Sequence, residues 1–161
     1  MELWDAYDDK LNKIDGVTLV RGEQIPEGCF HLCSEVIVRH KDGSYLIVQR
    51  DKRKHLGGMW EATAGGSALQ GENPLECARR ELQEETGILS NEMIEIGRVL
   101  HHEHKTFYVD YLCVTDADKN SVVLQEGETQ DYKWVSASEL RGMSRDELAT
   151  MRSLNFIGEL N

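Results

Sequence analysis

No hydrophobic run in this chain approaches the roughly 20 residues needed to cross a bilayer, and Met1-Glu2-Leu3-Trp4-Asp5 lacks the basic start of a signal peptide. A cytoplasmic protein away from membranes is therefore expected. Cysteine is sparse: Cys29, Cys33, Cys77 and Cys113 include no Cys-x-x-Cys pair, which argues for reduced thiols and against a disulfide framework. Cys29-x-His31-x-Cys33 has no second ligand pair to complete a zinc site, and its period of two reads as one face of a strand. Basic residues are also few, 18 Lys and Arg against 29 Asp and Glu, for a formal charge of −11. That balance excludes a nucleic-acid backbone as the main partner. It would repel a phosphorylated substrate as well, unless metal and a few placed cations reverse the sign locally.

The 161 residues, 40% of them hydrophobic, suffice for one substantial core, so a single domain over residues 1–161 is expected, with 1–29 as an N-terminal extension within it. Leu3 to Tyr7 and Val17 to Val20 read as strands around a polar turn from Asp8 to Asp15, forming a β-hairpin. Phe30–Arg39 and Tyr45–Arg50 flank Asp42-Gly43, a hairpin signal. Met59 to Thr63 reads as a short strand leading to a Gly65-Gly66 turn, and Met93–Leu100, Phe107–Thr115, Val122–Leu124 and Tyr132–Val135 as further strands. Two Ser-x-x-Glu boxes, at Ser136 and Ser144, predict a short helix ended by Gly142 and then a terminal helix with Leu148, Met151, Leu154 and Phe156 or Ile157 partly buried.

The stretch Gly66 to Ile88, GSALQGENPLECARRELQEETGI, organises the rest. Asn73 suits an N-cap, Pro74 the first helical position, Glu76 the third, and Gly87 the left-handed C-terminal position. Leu75, Ala78 and Leu82 form a stripe that packs on a sheet, and Glu81, Glu84 and Glu85 spread over roughly 100° beside it. Like charges so placed call for a cation, and a hard divalent ion prefers oxygen ligands. A charged outer helix face would explain the acids but not the spacing of Gly66, Glu72, Arg80 and Gly87. Cys77 reads as a small buried residue on the carboxylate side. His102 and His104, if on a strand, would share a face able to hold metal or phosphate, though a polar strand end accounts for them better.

Gly66, Glu72, Arg80, Glu81, Leu82, Glu84, Glu85, Gly87 and Ile88 match, without a gap, the pattern G-x5-E-x7-R-E-U-x-E-E-x-G-U. The stretch thereby resembles the Nudix box. The resemblance extends over about residues 30 to 160 and implies an α/β fold, the Nudix α/β/α sandwich around a mixed central sheet, with the box as a loop-helix-loop. It implies hydrolysis of a diphosphate joined to another moiety, such as a nucleotide-sugar, or of a nucleoside triphosphate, with Mg²⁺ or Mn²⁺ as cofactor. By position, Glu81, Glu84 and Glu85 would bind metal, Glu72 would bind or support it, the Gly65 carbonyl would add an oxygen, and Arg80 would orient the carboxylates. A general base must take the proton of the attacking water; Glu128 is the first candidate, with Glu84 or Glu126 as alternatives. Arg50, Arg53 and Lys54 are candidates for the substrate's negative charge.

Leu3-Trp4-Asp5 and Arg21-Gly22-x3-Pro26 are similar to the extension of isopentenyl-diphosphate isomerase-like Nudix proteins. Those isomerases carry a catalytic cysteine where Gly65 stands here, and their box is degenerate, so hydrolysis is expected. A non-catalytic nucleotide-sugar sensor is the other alternative, but the chain leaves no room for an appended DNA-binding domain. A homodimer formed through the N-terminal hairpin would fit the family.

Overall fold

The computed structural model describes residues 1–90, 92–152 and 154–157, with side chains described to Asn155. Strands β1 (Leu3–Tyr7) and β2 (Lys13–Val20) pair antiparallel. The turn is shorter than the polar run suggests: Tyr7 pairs with Lys13, and the surplus residues are absorbed as an irregularity between Asp5 and Tyr7. Next come β3 (His31–His40), β4 (Tyr45–Arg50), β5 (Trp60–Glu61) and β6 (Thr63–Ser67). Helix α1 (Pro74–Thr86) precedes β7 (Met93–His101), β8 (Thr106–Thr115) and β9 (Thr129–Val135), and the chain closes with α2 (Ala137–Gly142) and α3 (Leu154–Ile157).

Seven strands form one mixed sheet. β3 is its centre, parallel to β8 from His31↔Thr106 to His40↔Thr115 and antiparallel to β6; β4 carries β5 and β9, and β7 lies outside β8. Alternation along β3 divides the core between two faces. Leu32, Val36 and Val38 join Cys77, Ala78 and Leu82 of α1. Ile37 joins Tyr45, Ile47, Leu112, Leu140 and Leu148 on the opposite side. The result is the α/β/α sandwich. No described helix is long and apolar enough to cross a membrane.

Three expectations are corrected. Gly65 and Gly66 lie within β6, paired with Glu35 and Ser34, and the turn falls after them; a Cβ on Gly65 would come within 2.3 Å of the Ser34 carbonyl oxygen, so glycine permits close strand approach here. Val122–Leu124 is no strand, because the Val123 N–H donates to the Thr86 carbonyl at the end of α1 (2.9 Å). The Ser144 box opens one turn only: Trp60 N–H takes the Glu147 carbonyl (2.8 Å) and the Ala149 N–H donates to the Trp60 carbonyl (2.9 Å), so these groups are lost to a continuing helix. The expected burial of Phe156 or Ile157 lies outside the described side chains.

Candidate active site

Local capping sets the position of α1. The Asn73 side chain accepts from the Glu76 N–H (2.8 Å) and Glu76 accepts from the Asn73 N–H (3.0 Å), while Gly87, at φ 74°, ends the helix. With Cys77, Ala78 and Leu82 buried on the sheet, the next strip of helix surface faces β6. There the Gly65 N–H donates to Glu85 (3.2 Å). A Cβ on Gly66 would meet the Glu81 carboxylate at 2.6 Å, so the bare backbone makes the space that Glu81 occupies.

Arg80 gathers the acids. Its Nε donates to Glu72 (2.5 Å), Nη1 to Glu81 (2.9 Å) and Glu84 (3.1 Å), and Nη2 to Glu72 (3.1 Å) and the Ser67 carbonyl (3.0 Å). The hydrogen bonds that Arg80 donates to Glu72 outweigh burial and hold its guanidinium protonated well above the ordinary arginine range. Burial opposes ionisation of Glu72, but the hydrogen bonds of Arg80 leave its pKa lowered. Burial raises Glu81, helped by the charges of Glu84 and Glu72. Glu85 is pushed well above the carboxylate range by burial first and then by Glu81 and Glu61.

These residues border an open cleft of about 940 Å³. Of the residues singled out in the sequence, Arg50, Lys54, Gly65, Arg80, Glu81, Glu84, Glu85 and Glu128 line it together. Glu72 stands behind Arg80, outside the lining. Arg53 is also outside, 70% exposed and forked onto Asp51 at 2.8 Å through both Nε and Nη2. Across from α1, Arg50 donates to Glu61 (2.6 Å) and Lys54 pairs with Glu128. His102 and His104 do not share a strand face: β7 ends at His101, and the His104 ring instead stacks on His101 at 4.2 Å. Cys77 is fully buried, its thiol pushed up to about 11 by burial.

Several cleft residues carried no sequence signal that was read. Glu35, on β3, lines the cleft and accepts from Arg152 (2.7 Å), which also holds Asp110. Burial is the largest effect on Glu35 and raises it to about 7. A charged residue inside the apolar run FHLCSEVIVR was the available hint. Glu2 and Arg21, paired at 2.7 Å, bring the hairpin into the cleft wall, and the hairpin is fixed there by Gln70 N–H to the Leu3 carbonyl (2.9 Å) and Gly71 N–H to Asp5 (2.8 Å).

Among the described residues no three His, Cys, Asp or Glu side chains already converge as they would around an ion; Arg80 engages Glu72, Glu81 and Glu84 instead. The donor set nevertheless fits a hard divalent cation. It is all oxygen, it is crowded with acids whose ionisation burial opposes, and it neighbours the Gly65-Gly66 backbone that a Cβ would block. Zinc or copper would call for nitrogen or sulfur donors.

A family model for the NUDIX domain matches residues 30–154. An uncharacterized Nudix hydrolase of Listeria monocytogenes is 31% identical over 144 residues, covering 89% of this chain and 85% of that one. Among solved structures, a MutT protein from Methanosarcina mazei superposes with a TM-score of 0.63 at 26% identity, covering 81% of this chain and 94% of the other. The Deinococcus radiodurans protein DR0079 reaches a TM-score of 0.67 at 17% identity, covering 89% and 91%.

Proposed function

Because the chain belongs to the Nudix hydrolase family and so acts on phosphoanhydride bonds, we propose that it is a cytoplasmic Mg²⁺- or Mn²⁺-dependent pyrophosphohydrolase for a nucleoside diphosphate linked to a sugar or another small group, with nucleoside triphosphates as the second class. The observation that carries this reading is the opposition, across one cleft, of the Arg80-gathered glutamates of α1 and the cations Arg50 and Lys54. Glu81, Glu84, Glu85 and the Gly65 carbonyl, supported by Glu72, would hold the cation. When bound, it would neutralise the diphosphate and make water a better nucleophile.

The chain's own residues supply the rest. Arg80 holds the carboxylates apart from one another and in a fixed orientation. Arg50 and Lys54 receive the phosphate oxygens, and both are paired with glutamates in the free protein. A phosphate that draws Lys54 away from Glu128 frees that carboxylate to take the water's proton, so substrate binding itself uncovers the base. The hairpin of residues 1–29 acts as part of the same unit, closing one side of the cleft through Glu2 and Arg21. The presence of Gly65 in place of a nucleophilic cysteine supports hydrolysis over isomerisation.

The test is a product-resolved hydrolysis screen of nucleotide-sugars, other nucleoside diphosphate derivatives and nucleoside triphosphates with Mg²⁺ or Mn²⁺. Expected is metal-dependent cleavage within the diphosphate, reduced by at least a hundredfold in Glu84→Gln or Glu85→Gln. Allylic isomerisation of isopentenyl diphosphate without hydrolysis of any of these compounds would overturn the reading, as would full turnover by both variants.

A further inference from the structure

The match to the family model begins at residue 30, so the N-terminal hairpin lies outside it, yet the hairpin holds the loop that leads into α1. Alternation along β1 divides its side chains between two tasks. Trp4 and Ala6 join Leu19 and Cys29 in a small core of the hairpin's own, and Asp5, between them in sequence, turns the other way, to the loop. The hairpin is seated on β3 by a pair of backbone bonds between Tyr7 and Phe30 (2.9 and 2.8 Å) and by the stacking of Trp4 on His31 at 4.3 Å.

Every backbone N–H from Ala68 to Asn73 has an acceptor, as a loop with a fixed shape requires. β3 takes the first, Ala68 donating to the Leu32 carbonyl (2.9 Å). The loop and the helix cap take three: Leu69 donates to the Glu72 carboxylate (3.0 Å), Glu72 to the Leu69 carbonyl (3.0 Å) and Asn73 to Glu76 (3.0 Å). The hairpin takes the other two, Gln70 donating to the Leu3 carbonyl (2.9 Å) and Gly71 to the Asp5 carboxylate (2.8 Å). A hydrogen bond to an ionised acceptor is the stronger kind. Asp5 is buried, and the Lys13 ammonium, 3.3 Å away on β2, balances its charge. Gly71 directly precedes Glu72, which accepts from Arg80 through both oxygens, and the same guanidinium reaches Glu81 and Glu84. An unbroken line of contacts therefore runs from the hairpin to the carboxylates of the cleft.

We propose that Asp5 is a positioning residue for the metal-binding carboxylates: by holding the Gly71 N–H it fixes Glu72, and through Glu72 the Arg80 guanidinium that orients Glu81 and Glu84. The hairpin is then a working part of the site as well as one of its walls. This rests on the reading of those glutamates as cation ligands, but it needs neither substrate nor turnover. The test is calorimetric titration of the full chain with Mn²⁺, without substrate, at a temperature where each variant is shown by melting to be folded. Asp5→Ala is expected to weaken Mn²⁺ binding at least fivefold. Asp5→Asn, which keeps an acceptor oxygen for Gly71, and Lys13→Met, which removes only the balancing charge, should stay within twofold of the parent. A role exerted through Glu72 also predicts that the two effects do not multiply, so adding Asp5→Ala to Glu72→Gln should cost less than a further twofold. Asp5→Leu combined with Lys13→Met removes the acceptor without stranding a charge, and stands in for Asp5→Ala if that variant does not fold. The proposal is overturned if loss of the acceptor leaves Mn²⁺ affinity unchanged, if Asp5→Asn falls as far as Asp5→Ala, if the effects of Asp5→Ala and Glu72→Gln multiply in full, or if the parent binds no Mn²⁺. Hydrolysis by the parent with unchanged Mn²⁺ affinity in Asp5→Ala would sink this role and spare the hydrolase reading; the expected losses of affinity in a parent that hydrolyses no diphosphate would do the reverse.

Discussion

Arg152 reaches Asp110 and Glu35 at once, and its guanidinium lies against Tyr108. Asp110 is fully buried, and its Oδ1 has no hydrogen-bond partner among the described residues, so the carboxylate depends on this arginine. Removing one partner from a buried ion pair leaves charge uncompensated, at a cost of about 3–5 kcal/mol. Arg152→Met is therefore expected to lose about that much stability near pH 8, and less at pH 5, below the raised pKa of about 7 of Glu35, where that carboxyl is protonated; urea unfolding at the two pH values measures it. Glu35 gives a related pH dependence. Its folded pKa, about 7, is above the ordinary value of 4.5 because of burial first, so between those values the native state binds more protons than the unfolded one. Stability must then fall as pH rises through that window, and Glu35→Gln should flatten the slope of melting temperature against pH between 4.5 and 7. Neither partner was legible as a pair, because 117 residues separate them and no local pattern links them.

Helix α1 was legible to its ends because each signal acts within one turn of the chain. Asn73 and Glu76 satisfy each other's N–H groups, and Gly87 takes a left-handed φ of 74°. Asn73→Ala is expected to cost about 1 kcal/mol. Gly87→Ala should cost at least as much, since the added Cβ would also come 3.2 Å from that of Val123; paired thermal melts of both variants check this. The Ser144 box looks equally good in sequence, and here the element was misread. Trp60 lies 84 positions upstream in sequence and claims the Glu147 carbonyl, a partner that no local motif announces. Gly65-Gly66 was misread for a similar reason. Glycine pairs signal turns, yet these two permit β6 to lie against Ser34 and Glu35, and that need is visible only once the strands are assembled.

At the scale of the whole molecule, an acidic protein has concentrated acid where it must bind an anion. Among the described residues, seven glutamates and four basic side chains line the main cleft, and every one of those cations is paired with a glutamate. Such a site resists its own ionisation. Glu85, raised by burial first and then by Glu81 and Glu61, is stabilising only while it keeps a proton, so raising the pH towards neutrality works against the fold unless a cation is supplied. Two consequences follow for one substitution. In EDTA at pH 7.5, Glu85→Gln should melt above the parent, because a neutral amide replaces a carboxylate that burial disfavours and can still accept from the Gly65 N–H. On adding Mg²⁺ in the millimolar range the order should reverse, since a ligand that binds only the native state stabilises by mass action and the variant has lost a donor. The measurement is a pair of thermal melts for each protein, with and without Mg²⁺. A parent that gains nothing from Mg²⁺, or a Glu85→Gln variant that gains just as much, would mean that this carboxylate does not hold the metal and that its burial serves the fold alone.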